Sequence, residues 1–284
     1  MFVAIVWGTT FVASKMALDG GLTPIGLMSL RFLLGYVALW VAYPQVHAIR
    51  LDKQELKFLL LGLCGGSVYF LAEYEALRHT SAVNVGIITS TVPLVSACLY
   101  AMLSRTLPRA KYFVGTAIAL LGVVMVVTNG RAEMSYSMTG DVLACVATLL
   151  WAVYSVVLSS LGARVNPLLA SRRLFFYALV SISPFAMCEG IDVSILTEPQ
   201  VLWPTMYLGL VASGLCIWLW NVSTNNVGIM QTNNFLYLLT IVPVFASYLF
   251  MLSELTRWNV CGSLVVLVGI MVANKGVQKK CAYT

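Results

Sequence analysis

The chain has 284 residues, of which 60% are hydrophobic and only 10% are charged, and its formal net charge is +6. This composition, with a mean hydropathy of +0.89, excludes a soluble globular domain and indicates an integral membrane protein. The basic residues are not gathered with interleaved aromatic residues, so nucleic acid is excluded as a partner.

Long apolar runs recur along the chain, and each approaches the roughly 20 residues that a helix needs to cross a lipid hydrocarbon core of about 30 Å. Apolar and polar residues do not alternate within these runs, as they would in transmembrane strands. We therefore predict an all-α polytopic membrane protein with ten transmembrane helices. Met1 lies almost inside the first span without a basic leader, so we expect a short stretch to precede it. The predicted spans are 1–18, 25–43, 56–77, 81–103, 110–128, 140–161, 168–188, 201–222, 227–252 and 258–274.

The sequence contains an internal repeat. Asn84 and Pro93 in the first half match Asn234 and Pro243 in the second, at an offset of about 150 residues. Each copy holds five spans, and an odd number forces the second copy to cross the membrane in the opposite orientation. Inverted repeats of this kind are typical of secondary transporters. We place the first repeat at residues 1–130 and the second at 138–276, within a single membrane unit.

The basic residues predict the orientation of the chain. Inner loops of membrane proteins carry an excess of lysine and arginine, which here favours cytoplasmic N- and C-termini in a plasma (inner) membrane. With that orientation the inner residues are Arg50, Lys53, Lys57, Arg105, Arg109, Lys111, Arg164, Lys275, Lys279 and Lys280, and the outer ones are Arg78, Arg131 and Arg257.

Neither catalysis nor a metal site has support in the sequence. The seven cysteines are scattered, mostly in apolar runs, and there are only two histidines. No metal-ligand, nucleotide-binding or nucleophile motif occurs. We therefore predict no cofactor, no metal and no enzymatic activity. A membrane enzyme acting on lipid is an alternative, but it would need a cluster of His, Asp, Glu or nucleophilic residues at one membrane face. A channel or receptor, the other alternative, would not explain an inverted repeat.

Four ionisable residues fall in the outer third of the predicted membrane region: Lys15, Arg31, Glu73 and Glu75. Such residues usually mark a pathway or a paired cluster. We predict that they neutralise one another around an outward-facing vestibule; alternatively, Lys15 and Arg31 extend to the surface. The two glutamates are about 200° apart on a helix, so only one can face a cavity, and we predict Glu73. Glu73 is also our candidate for proton coupling.

In the inner third, Arg172 and Arg173 open the seventh span and Asn221 closes the eighth. No carboxylate accompanies the two arginines inside the membrane. Their donors are therefore predicted to be free for an anionic group such as a substrate carboxylate. The alternative is that they contact lipid headgroups.

Polar and aromatic residues near the membrane midplane predict a substrate cavity. Proline removes a backbone donor, so Pro93 and Pro243 are predicted as helix breaks or hinges. Each polar residue has the alternative of ordinary bonding between helices. The predicted substrate pathway comprises Trp7, Thr10, Lys15, Arg31, Glu73, Asn84, Thr91, Trp151, Tyr154, Arg172, Arg173, Asn221, Asn234 and Tyr237.

Several motifs recur in a fixed order: Trp7-Gly8-Thr9-Thr10-Phe11, Arg31-Phe32 and Thr91-Val92-Pro93 in the first repeat, and Gly140-Asp141, Trp151-Ala152-x-Tyr154 and Pro243 in the second. Their order, spacing and duplication resemble EamA-type members of the drug/metabolite transporter superfamily. The resemblance implies a ten-helix transporter of two inverted repeats. Such a protein exports or exchanges amino acids, small metabolites or drugs by alternating access around a central cavity. One departure is Ser104-Arg105, where the second repeat keeps Ser253-Glu254.

We therefore predict a secondary transporter, acting as an exporter, with a small-molecule substrate and the lipid bilayer as its partners. Proton coupling and a homodimeric assembly are both compatible with the sequence.

Overall fold

The computed structural model describes residues 1–50, 52–130, 137–162, 165–190, 193–249 and 255–277. All regular elements within these ranges are helices, which confirms the all-α prediction. In these ranges nine helices are long and apolar enough to cross a membrane, and a shorter apolar helix runs over Ile229–Phe245. The predicted inner residues Arg164, Lys279 and Lys280, the outer residue Arg131 and the Ser253-Glu254 pair lie outside the described ranges.

The helices follow the predicted spans closely, because a long apolar run buries its backbone polar groups in lipid only as a helix. We number them α1 Phe2–Asp19, α2 Pro24–Ala42, α3 Lys53–His79, α4 Ala82–Thr89 with Val92–Ser104, α5 Ala110–Thr128, α6 Met138–Leu161, α7 Pro167–Glu189, α8 Pro199–Val227, α9 Ile229–Asn234 with Phe235–Tyr237 and Leu238–Leu249, and α10 Arg257–Gly276.

Two equivalent helices, α3 and α8, are interrupted by π-helical turns at Leu63–Ser67 and Tyr207–Leu215. Gly66 leaves the helical region altogether, with φ −129° and ψ −110°. π-helical turns occur often at functional sites because they release main-chain groups from regular helical bonding. Each half of the molecule thus carries such an interruption in its third helix.

The predicted proline breaks differ between the halves. α4 is interrupted at Ser90 and Thr91, immediately before the segment that contains Pro93, as predicted. In α9 the interruption is the 3₁₀ turn Phe235–Tyr237, whereas Pro243 lies inside the following helix. The prediction of a break at Pro243 was therefore wrong. In a membrane protein, neighbouring helices can satisfy the carbonyl that a proline leaves free, so the helix continues past it.

Contacts between helices are related by an exchange of the two halves. α1 packs against α8 and α9, and its counterpart α6 packs against α3 and α4. α2 contacts α7 and α8, whereas α7 contacts α2 and α3. The same contacts are obtained when each helix is exchanged for its counterpart in the other half, α1 for α6, α2 for α7 and so on. This is expected for two repeats of five helices.

The pairing of α5 with α10 shows the inverted relationship directly. A Cβ built on Gly115 would lie 2.1 Å from the backbone nitrogen of Ala273, and one on Gly269 would lie 2.4 Å from that of Ala119. Residues later in α5 contact residues earlier in α10, so the two helices are antiparallel. These two equivalent helices of the two halves therefore run in opposite directions, and their glycines provide the close contact.

Candidate functional site

Three indole rings from three helices meet at the centre of the molecule. Trp7 of α1 has its ring centroid 5.0 Å from that of Trp220 in α8 and 5.6 Å from that of Trp151 in α6. The centroids of Trp151 and Trp220 are 6.3 Å apart. We refer to Trp7, Trp151 and Trp220 as the tryptophan cluster; Trp7 and Trp151 belong to the predicted substrate pathway, and Trp220 does not.

The three indole N–H groups have different surroundings. Trp7 donates from Nε1 to the main-chain oxygen of Ala212 at 2.8 Å, inside the π-helical turn of α8. Trp151 and Trp220 are only 6% and 3% exposed, and within the described residues neither Nε1 atom has a hydrogen-bond acceptor. A buried donor without an acceptor costs about 1–3 kcal/mol. Two such donors lie side by side in the tryptophan cluster.

A chain of hydrogen bonds lies beside the cluster, towards the predicted inner side. The ring centroid of Tyr154 is 5.0 Å from that of Trp151, and its hydroxyl donates to Asn221 Oδ1 at 2.8 Å. Asn221 Nδ2 in turn donates to Ser171 Oγ at 2.7 Å. A Cβ on Gly65 would lie 2.4 Å from the Tyr154 ring, so the π-helical turn of α3 makes the space for this ring. The chain joins α6, α8 and α7, and its three side chains are fully buried.

A carboxylate lies on the opposite side of the cluster. The ring of Tyr69 in α3 is centred 5.0 Å from that of Trp151, and its hydroxyl donates to Glu73 Oε1 at 2.9 Å. Glu73, Tyr69 and Tyr207 are half-buried. Tyr69 was not predicted from the sequence, although it precedes Glu73 by four residues and so lies on the same face of the helix.

Arg31 lies beside this carboxylate. Its Nε donates to Ser213 Oγ in α8 at 3.1 Å, and its guanidinium carbon is 4.5 Å above the centre of the Phe70 ring. Among the described residues, Arg31 and Glu73 share no ion pair within 4.0 Å. Ser213, which fixes Arg31, had no signal in the sequence.

The predicted neutral cluster of four charges was wrong. Lys15 is exposed on α1, because its long side chain can carry the ammonium group to the surface. Glu75 faces away from Glu73 and pairs with Arg78 and His79, at 3.1 Å in each case. Only Arg31 and Glu73 of the four lie beside the aromatic site.

Some of the donors on Arg172 and Arg173 that the sequence predicted to be free have partners within the chain. Arg172 donates to the main-chain oxygens of Tyr43 and Gln45, both at 2.7 Å. Arg173 donates to the main-chain oxygen of His47 at 2.8 Å. Both side chains are buried against the segment between α2 and α3.

The remaining predicted residues bond outside the tryptophan cluster. Asn84 Nδ2 donates to Asp141 Oδ1 at 3.2 Å and ties α4 to the first turn of α6. Thr10 and Thr91 donate to carbonyls of their own helices. Asn234 donates to Asn274 Oδ1 in α10 at 2.8 Å. Tyr237, which is fully buried, packs with residues of α5 and α10. The described residues contain no group of three or more His, Cys, Asp or Glu side chains placed to hold a metal ion.

Comparison with known proteins matches this architecture. The model of the EamA-like transporter family matches residues 1–128 and 138–275. A transporter of Archaeoglobus fulgidus is 24% identical over 94% of this chain and 92% of its own length. A probable amino-acid metabolite efflux pump of Salmonella typhimurium is 25% identical over 96% of this chain and 92% of its own.

One solved crystal structure with 20% sequence identity shares the fold, with a TM-score of 0.78 over 96% of this chain and 94% of that one. The family match covers nearly the whole chain in two copies. The chain is therefore a multi-pass membrane protein that belongs to the EamA-like transporter family.

Proposed function

We propose that the protein is a secondary transporter that exports amino acids or other small polar metabolites by alternating access and has no enzymatic activity. Residues 1–130 and 138–276 are its two moving repeats. The family supports transport, and the efflux pumps of Salmonella typhimurium and Escherichia coli support amino-acid metabolites as the substrate class.

The observation that carries the proposal is the pair of unpartnered indole donors at Trp151 and Trp220. They lie in a site with aromatic walls, next to a guanidinium and a carboxylate. A molecule with both polar groups and apolar surface meets the requirements of such a site: its acceptor atoms bind the indole N–H groups and its carbon atoms pack on the rings.

Burial across the site supports alternating access. Tyr69 and Glu73 are half-buried, whereas Tyr154 and Asn221 on the other side of the cluster are completely buried. Access to the tryptophan cluster is therefore easier from the side of Glu73. If each repeat adopted the packing that the other now has, the site would open to the opposite side of the membrane. Inverted-repeat transporters alternate their access in this way.

We further propose that both termini are cytoplasmic and that the protein lies in the plasma membrane. Arg105 and Arg109 lie between α4 and α5, Lys111 lies in the first turn of α5, and Lys275 lies in the last turn of α10, all on the face that this orientation places inside. Positively charged loops stay on the cytoplasmic side. With this orientation, the half-buried side of the site faces outwards.

Glu73 is proposed to couple transport to protons. It is a half-buried carboxylate whose hydrogen-bond donor, Tyr69, contacts the tryptophan cluster. A carboxylate in that position can change its protonation as the site opens and closes.

Flux measurements on purified protein in liposomes test the function. Vesicles with the protein should release at least one compound from a preloaded library of amino acids and small metabolites faster than empty vesicles do. If no compound from a broad library leaves faster than from empty vesicles, the proposal is wrong.

A further inference from the structure

A small pocket lies near the C-terminal end of α2 and the N-terminal end of α7, apart from the tryptophan cluster. Its volume is about 40 Å³, and since one water molecule needs roughly 10–15 Å³ of such space, it holds about three waters. That is the size of one tetrahedral anionic group and is too small for an amino acid. We call it the arginine pocket, and it is lined by Tyr36, Trp40, Val46, His47, Arg172, Arg173 and Phe176.

The pocket has an excess of buried positive charge. Arg172 and Arg173 are only 4% and 7% exposed. Among the described residues, the carboxylate that pairs with them is Glu55, whose Oε1 is 3.5 Å from Arg173. The same oxygen accepts a hydrogen bond from Tyr177 at 2.7 Å. Two guanidinium groups thus share one carboxylate, and a buried charge without a partner is unfavourable.

Packing holds the guanidinium of Arg172 in a fixed position. Its guanidinium carbon is 4.1 Å from the ring centre of Trp40 and 5.5 Å from that of Tyr43, while Tyr43 and Gln45 accept its hydrogen bonds through their main-chain oxygens. His47 lies at the rim, with Nδ1 3.5 Å from Arg172. Each guanidinium has five N–H donors in a rigid fork, more than these acceptors use.

The position of the pocket adds to its preference for an anion. Arg172 and Arg173 lie in the second turn of α7, which begins at Pro167. The end of α2 at Ala42 lies at the same level. Both helix ends mark the edge of the membrane region, where phospholipid headgroups lie. Arginine forks match the oxygens of phosphate better than a simple point charge does.

We propose that the arginine pocket binds a phosphate group, supplied by a lipid headgroup or by free phosphate. The site is separate from the tryptophan cluster, and the proposal does not depend on the proposed transport function. The bound group neutralises the second guanidinium and stabilises the segment between α2 and α3.

The test measures thermal unfolding of the purified protein in detergent. One arm compares sodium phosphate with sodium chloride at equal ionic strength; the other compares dioleoylphosphatidic acid with dioleoylphosphatidylcholine. We expect the unfolding temperature to rise with at least one of the two phosphate sources. A rise with phosphatidic acid alone identifies a lipid site, a rise with inorganic phosphate alone identifies a site for the free ion, and a rise with both identifies the phosphate group itself. No rise with either source overturns the proposal.

A variant that fills the pocket with a carboxylate locates the effect. Val46 lines the pocket and is 83% exposed, so V46E removes little packing and places a negative charge beside Arg172. We expect V46E to raise the half-saturating concentration of the effective phosphate source by on the order of tenfold, with a higher unfolding temperature in its absence. Ile49→Glu is the control, because Ile49 is 52% exposed in the same segment but does not line the pocket. If V46E responds to phosphate as I49E and the unchanged protein do, the pocket is not the site.

Discussion

The hydroxyl of Tyr69 donates to the carboxylate of Glu73 at 2.9 Å, and the ring of Tyr69 lies 5.0 Å from that of Trp151. One side chain therefore connects the half-buried carboxylate to the tryptophan cluster. A change in the charge of Glu73 would alter the hydrogen bond of Tyr69, and through its ring the packing around Trp151. This contact gives proton coupling a structural route to the proposed substrate site.

We predict that Glu73→Gln abolishes stimulation of flux by a pH gradient. The glutamine keeps an oxygen that accepts from Tyr69 but has no titratable proton, so folding should change by less than about 1 kcal/mol. The measurement is flux into or out of proteoliposomes with and without an imposed gradient. Glu75→Gln is the matched control, since Glu75 pairs with Arg78 and His79 instead. Gradient-driven flux that persists in Glu73→Gln, or disappears equally in both variants, would rule out this role.

The indole donors provide a second prediction. Trp151→Phe and Trp220→Phe should each raise the apparent KM by about tenfold or more, because a hydrogen bond to a charged substrate group contributes about 1.5–3 kcal/mol. Trp7→Phe has the same change in side chain, but the Trp7 N–H is already bonded to Ala212. The main effect of Trp7→Phe should therefore be a lower stability, with a smaller rise in KM than in the other two variants. Initial rates over a range of substrate concentrations and unfolding temperatures separate the two effects. Equal KM values in the three variants would contradict the assignment of the donors to substrate.

The contact between Arg31 and Ser213 allows a third prediction. Ser213→Ala leaves the buried Nε of Arg31 without its acceptor, and we expect the free energy of unfolding to fall by about 1.5–3 kcal/mol, as for hydrogen bonds to charged groups. Ser181→Ala is the control, because Ser181 bonds to the neutral hydroxyl of Ser67 at 2.6 Å. That bond should contribute about 0.5–1.5 kcal/mol. Reversible unfolding in detergent gives both values, and a loss in Ser181→Ala as large as that in Ser213→Ala would contradict the charged character of the first bond.

The membrane spans were predictable because each depends on about 20 neighbouring residues. The close contact of α5 with α10 depends on glycine, because only a residue without a Cβ allows the approach seen between Gly115 and Ala273. Trp151 and Glu73 were identified as polar or aromatic residues at unusual depths. Each of these features follows from the type of the residue and its place in the sequence, and none requires knowledge of the residue that it contacts.

The partners of the charged residues were not predictable in the same way. Arg172 and Arg173 bond to main-chain oxygens between α2 and α3, and every residue has such an oxygen, so the sequence does not mark it. Lys15 was assigned to the site by depth alone, although a flexible lysine side chain reaches the surface from that depth. The π-helical turns of α3 and α8 each contain two glycines, but glycine is frequent in membrane helices generally and does not mark such a turn.

The last prediction concerns the α5–α10 contact. Gly115→Ala places a Cβ 2.1 Å from the Ala273 nitrogen, a distance that forces the backbones apart, and overpacking of this kind costs about 1–3 kcal/mol. Gly86→Ala is the matched control, because its Cβ would be 3.9 Å from Val127 Cγ1, an ordinary contact. Both glycines lie in helices, so both substitutions gain the same helix propensity, and only Gly115→Ala should lower the unfolding temperature. The helices meet across the two halves, so Gly115→Ala should also reduce flux per folded molecule. If both variants unfold at the temperature of the unchanged protein, the close approach of α5 and α10 does not contribute to stability.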